Sequence, residues 1–325
     1  MDTTINAQWI RHNSIMQPPA RKGGCLAYDS GRNSTLLFGG GGLNDTWSWD
    51  GSSWTQLHPS QSPPPRTSAC MAYDSQHGTI LLFGGVSTSC LLLGDTWLWN
   101  GTTWTQLYPK RAPTARCGAV MAYSEAQQCL VLFGGEAPGG RVGRLLNDTW
   151  TWNGALWSLQ PVPASPPERV GSTMTYDAAN RQLILFGGTS STTLYGDTWA
   201  WAGQKWQLLS PSTNPPPRAW ATMAYVASLQ QVILVGGSSV TANPVLNGLN
   251  DIWQWNGIAW SQLNSVSAPA GGYHSSAYDS TRQTLIIYAS TNAKIYPADK
   301  QSRVPQGNAP APVVMQSETW LWHTT

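Results

Sequence analysis

RTSACMAYDSQHGTILLFGG (residues 66–85) and GDTWLWNGTTWTQL (residues 94–107) together decide the fold. The first block reads as two antiparallel strands with a polar turn between them, and the second strand stops at the Gly84-Gly85 doublet. In the second block Trp97 and Trp99 stand two residues apart. They therefore share one face of a strand, because side chains alternate with period two. Asn100-Gly101 then marks a tight hairpin, since both of its turn positions favour positive φ. Trp104 opens the returning strand. The whole stretch reads as four antiparallel strands, preceded by the stiff joint Ser62-Pro63-Pro64-Pro65.

The unit recurs along the chain. Its first block starts at Arg21, Arg66, Arg116, Arg169, Arg218 and, in degenerate form, Gly271. That is a period of roughly 50 residues, typical of propeller blades, each of which buries its faces only against its neighbours. The last copy stops at Trp320-Leu321-Trp322-His323, before its fourth strand, while an isolated Trp9 precedes the first copy at the spacing of a fourth-strand Trp. The pattern predicts an all-β, six-bladed β-propeller with four antiparallel strands per blade. Its N-terminal strand completes the C-terminal blade, which removes the open edge of a linear array. The chain is expected to be a single domain. Residues 1–15 are the outer strand of blade six, and 16–60, 61–110, 111–160, 161–210 and 211–265 are blades one to five. Residues 266–325 are blade six, with an insertion at 290–317.

Composition narrows the function. The 325 residues carry 18 Lys+Arg and 16 Asp+Glu, a net charge of +2, too balanced for a phosphate-backbone partner, so no nucleic acid is expected. No apolar run is long enough to span a membrane, and no signal peptide is visible at the start, so a cytoplasmic monomer with no membrane partner is expected. The 5 cysteines include no CxxC pair and make neither a disulfide framework nor a zinc site. Cys25 and Cys70 share one position in neighbouring innermost strands and read as small buried packing. No cofactor and no metal are expected, because copper or non-haem iron wants two or more histidines with a carboxylate or thiolate.

The Pro-Arg opening, the Gly-Gly doublet after an apolar strand and the distal Trp resemble the kelch-repeat β-propeller family, in its bacterial type with DTWxWNGxxW blades, over residues 5–325. That family includes galactose-oxidase-like enzymes, sialic-acid epimerases, nitrile-specifier proteins and many protein-binding modules, so the resemblance implies an architecture and leaves the activity open. It also implies that binding residues come from the loop after Gly-Gly and from the start of the innermost strand, around one mouth of the central channel.

In a repeat protein, residues present in every copy are most simply structural, and departures from the repeat are where a site can lie. All of the 19 tryptophans except Trp220 fall in the three repeated positions and read as packing between blades. The repeated Arg and the repeated Asp of Asp-Thr-Trp are expected to contact one another or backbone groups. The position two after the repeat Arg holds Gly23, Ser68, Gly118, Gly171, Trp220 and Tyr273, four small residues and two aromatics from adjacent blades. His274 follows Tyr273. Glu136, Arg141, Arg144 and Ser239 lie in loops after Gly-Gly, and the insertion with Lys294, Tyr296, Lys300 and Arg303 is expected to fold over the mouth as a lid.

The first reading is a binding module for a small molecule, glycan or peptide. Its ligand-binding set is Trp220, Tyr273, His274, Glu136, Arg141, Arg144, Ser68 and Ser239. The second is a metal-independent enzyme of cyclase, isomerase or lyase type, with His274 or Tyr273 as acid/base beside Glu136. The third is a structural scaffold.

Overall fold

The structure is a computed structural model that describes residues 7–12, 14, 16–139, 143–239, 248–263, 268–269, 274–294 and 313–324. It is all-β, with six sheets of four antiparallel strands arranged as a β-propeller. Blade two shows the plan: Cys70–Asp74 innermost, then Thr79–Phe83, Thr96–Trp99 and Trp104–Leu107 outermost. The innermost strands touch their neighbours all the way round, blade six against blade one included.

Blade six is completed from the other end of the chain. Ala7–His12 pairs antiparallel with Val313–Thr324, with Trp9 opposite Trp322 and Arg11 opposite Trp320. Two details depart from expectation. The Arg-to-Tyr segment is not strand throughout, because the innermost strand begins only at Cys25, Cys70 and their equivalents, and the residues before it form a bend. The insertion is not a loop from its first residue either. Thr284–Lys294 runs on to pair with Val313–Thr324 as far as Lys294 opposite Val313, a ribbon extending the blade. Residues 295–312, which hold the rest of the expected lid, lie outside the described residues.

The repeated residues form three sets of bonds. The Arg116 guanidinium donates to both carboxylate oxygens of Asp148, at 2.6 and 2.9 Å, and to the Gly134 carbonyl at 2.9 Å. Arg66–Asp95, Arg169–Asp197, Arg218–Asp251 and Arg21–Asp45 repeat this within their own blades. The same carboxylate accepts from the Trp two residues on, as in Trp150 Nε1 to Asp148 at 2.7 Å. Burial alone would raise the Asp148 carboxyl, but the hydrogen bonds and charge of Arg116 outweigh it and hold the group below its ordinary value. In blade six, which has no Arg at that position, Arg11 of the closing strand meets Glu318 at 3.1 Å. The closure thus carries its own ion pair.

The fourth-strand Trp stitches each blade to the one before. Trp104 Nε1 donates to Thr46 at 3.0 Å, Trp157 to Thr96 at 3.1 Å, Trp206 to Thr149 at 2.8 Å, Trp260 to Thr198 at 2.9 Å and Trp54 to Thr319 at 2.8 Å. Each also packs on the Trp opposite it in its own blade, with Trp99 and Trp104 centroids 5.3 Å apart. Trp9 is the exception. Its buried Nε1 has no partner among the described residues, because the Thr position of blade five is filled by Ile252 in the same apolar cluster. Leaving such a donor unmet costs about 1–3 kcal/mol. Thr198→Val, which orphans Trp260 in the same way, is therefore expected to lower stability by about 1–2 kcal/mol in denaturant unfolding. Ile252→Thr loses apolar burial but gives Trp9 an acceptor, and is expected to stay within about 1 kcal/mol of the parent.

Candidate functional site

At one mouth of the channel the chain bends from the Pro-rich joint into the innermost strand. A chain of backbone hydrogen bonds runs around this bend from blade to blade. Ser68 N–H donates to Gly23 O (2.8 Å), Gly118 to Ser68 (2.9 Å), Gly171 to Gly118 (3.1 Å) and Trp220 to Gly171 (2.7 Å). To make these bonds every one of the five residues adopts a left-handed backbone, with φ of 65° at Gly23, 53° at Ser68, 61° at Gly118, 70° at Gly171 and 59° at Trp220. Glycine takes this conformation freely; a bulky L-residue does so only under strain. Trp220 is therefore anomalous in a second way, beyond standing outside the Trp repeat. The small residues in this column were the signal for a left-handed bend, which a reading by size alone misses.

The Trp220 ring lies across the mouth. A Cβ placed on Gly171 would sit 2.8 Å from ring atoms Cδ2 and Cε2, and one on Gly118 would sit 3.1 Å from Cη2. The indole of blade five thus uses the bare glycine backbones of blades four and three as its bed. Beside it a cavity of about 140 Å³ is walled by Gly23, Ser68, Ala119, Ser172, Trp220 and His274, among others. His274 also borders the next cavity down the channel, of about 170 Å³, walled by Cys25, Cys70, Met71, Met121, Thr222 and Ser276 among others. His274 therefore stands at the neck between mouth and channel.

The expected site is only partly assembled. Trp220, His274 and Ser68 meet at the mouth. Glu136 does not join them. It belongs to Glu136–Ala137, its backbone bonded both ways to Cys117, and its carboxylate lies where a Cβ on Gly143 would fall. Burial first, and then the Glu136 charge, pushes the Cys117 thiol up to about 11. Glu136 thus pairs sideways with its own loop and lines neither cavity that His274 borders. Arg144 is exposed, in a two-residue ladder with Ala137. Ser239 is exposed beside Ser238, whose backbone pairs with Ala219. Tyr273 and Arg141 lie outside the described residues.

Neither cavity is lined by a carboxylate among the described residues, and no cluster of three or more metal-ligating side chains occurs among them. The channel thiols are chemically quiet. Burial pushes Cys25 up to about 12, against the opposing charge of Arg66, and raises Cys70 further. What the mouth offers among the described residues is shape and aromatic surface beside one imidazole and the hydroxyls of Ser68 and Ser172. Compared with protein-family models and with curated proteins, the chain matches none.

Proposed function

We propose that this propeller is a binding module whose mouth takes a single ring or side chain of a larger ligand, either the terminal sugar of a glycan or one side chain of a peptide. The observation that carries this reading is the left-handed Trp220. A non-glycine residue held there costs about 1–3 kcal/mol, and four blades fill the same position with Gly or Ser. Strain of this kind persists where something else retains the residue, and a flat indole at the mouth of a rigid ring is a stacking platform.

Size points the same way. A cavity of about 140 Å³ is smaller than the roughly 300–1,000 Å³ of pockets that enclose a whole drug-sized molecule. It suits one group inserted from outside while the rest of the ligand lies on the surrounding loops. His274 of blade six and Ser68 of blade two supply polar contacts at the opening, with blade one between them. The resemblance to kelch propellers, which use this mouth, supports the assignment by analogy alone.

Screening wild type and Trp220→Gly against glycan and peptide arrays tests the proposal. Hits at the mouth are expected to lose at least tenfold in signal in the variant, the worth of a stacked aromatic in a binding site. Equal binding by both proteins would remove Trp220, and with it the mouth, from the function.

A further inference from the structure

The other end of the channel is built differently. Six tyrosines, one from each innermost strand (Tyr28, Tyr73, Tyr123, Tyr176, Tyr225 and Tyr278), line a cavity of about 310 Å³ together with Glu125. Each is half-buried, and most direct the hydroxyl sideways to the turn of the preceding blade. Tyr28 donates to Thr281 at 2.7 Å, and Tyr73 accepts from the Gly31 N–H at 3.2 Å. Tyr123 lies beside Ser75, Tyr176 beside the backbone of Ala126, and Tyr225 beside that of Ala179. Each ring also packs against an apolar cluster between blades, and all six border the same cavity, so its lining is rich in aromatic carbon.

The surrounding turns are negatively weighted. They carry the carboxylates of Asp29, Asp74, Glu125, Asp177 and Asp279 against the guanidiniums of Arg32, Arg181 and Arg282. Asp29 and Asp279 are paired with Arg32 and Arg282, whereas Asp74 meets His77 and Asp177 meets Asn180. Glu125 is exposed at the rim. It accepts a hydrogen bond from Ser75 at 2.9 Å, and the same position in the other blades holds Ser30, Ser75, Ala178, Ala227 and Ser280. A single unrepeated carboxylate thus stands over an aromatic well in a chain otherwise poor in charge.

Aromatic walls with a nearby carboxylate recognise an organic ammonium ion, whose weakly hydrated charge is stabilised by ring quadrupoles. We propose that the tyrosine-lined mouth is a second binding site, for the quaternary or methylated ammonium group of a ligand. It is independent of the Trp220 mouth. Titration calorimetry on the full chain tests it with choline and with 3,3-dimethylbutan-1-ol, its uncharged isostere.

Choline is expected to bind at least about tenfold tighter than the alcohol, the margin of a desolvated cation–π contact. Glu125→Gln is expected to weaken choline binding about three- to tenfold, and Tyr176→Leu more, with no change in Trp220→Gly. Glu125 is exposed, so its variant keeps the test valid should Tyr176→Leu fail to fold. A trimethyllysine peptide run in parallel distinguishes a modified chain segment from a free ammonium compound as the source of the same group. Equal binding of choline and its isostere, no binding of any ammonium probe, or binding lost in Trp220→Gly but kept in Glu125→Gln would each overturn the proposal.

Discussion

Deleting residues 1–15 is expected to lower the melting temperature by 10 °C or more, or to leave the protein aggregated. The deletion removes the whole outer strand of blade six, including Trp9, the ladder from Ala7 to His12 and the Arg11–Glu318 pair. Loss of a buried Trp alone costs about 3–5 kcal/mol, and the total stability of a domain is only about 5–15 kcal/mol. The deletion also uncovers Trp322, Ile252 and Val235 in the cluster that Trp9 caps, and leaves Val313–Thr324 as an unpaired edge. Adding a synthetic peptide of residues 1–15 to the truncated protein is expected to restore much of the melt, because strand addition supplies the same ladder. A truncated protein that melts like the parent would show that the ring is not held shut by this strand.

The second large effect is expected at Asp148. Its side chain is 26% exposed, whereas that of Arg116 is 0% exposed. Asp148→Ala therefore strands a fully buried guanidinium and also takes the acceptor from Trp150 Nε1. Removing one partner of a buried pair costs about 3–5 kcal/mol. The partial exposure of Asp148, together with the Gly134 and Thr114 carbonyls that Arg116 retains, places the cost near 3 kcal/mol, a drop on the order of 5 °C. Asp148→Asn keeps one acceptor and is expected to lose about half as much. A wild-type melt for Asp148→Ala would mean that the five repeated pairs do not support the blades.

The fold was legible because its determinants repeat. A residue type present in every copy at one spacing exposes its geometric role, and the unmatched Trp9 and the unfinished Trp320-Leu321-Trp322 ending could be joined by counting. The pairing of Arg with Asp was legible for the same reason, as both charges depart together in blade six. The site was legible only in part. Trp220 stood out as a break in the pattern, yet its left-handed backbone was hidden, although the glycines at Gly23, Gly118 and Gly171 implied it.

The place of Glu136 could not be read from its side-chain type, because the residue after Gly-Gly turns aside into a ladder with Cys117, a pairing set by loop backbone. The tyrosine well went unplaced for the opposite reason. Tyr28 and its equivalents recur in every copy and so read as structure, and only the closed ring shows them converging on one opening.

That repeated residues hold the ring and the unrepeated Trp220 serves binding is tested most directly by melting Trp220→Gly beside Asp148→Ala. For Trp220→Gly, relief of the left-handed strain, about 1–3 kcal/mol, offsets the lost burial of a partly buried indole, about 1–3 kcal/mol. Its melt is therefore expected to stay within about 2 °C of the parent, while Asp148→Ala falls on the order of 5 °C. A Trp220→Gly protein that melts as low as Asp148→Ala would make Trp220 a structural plug of the channel and contradict its assignment to a ligand.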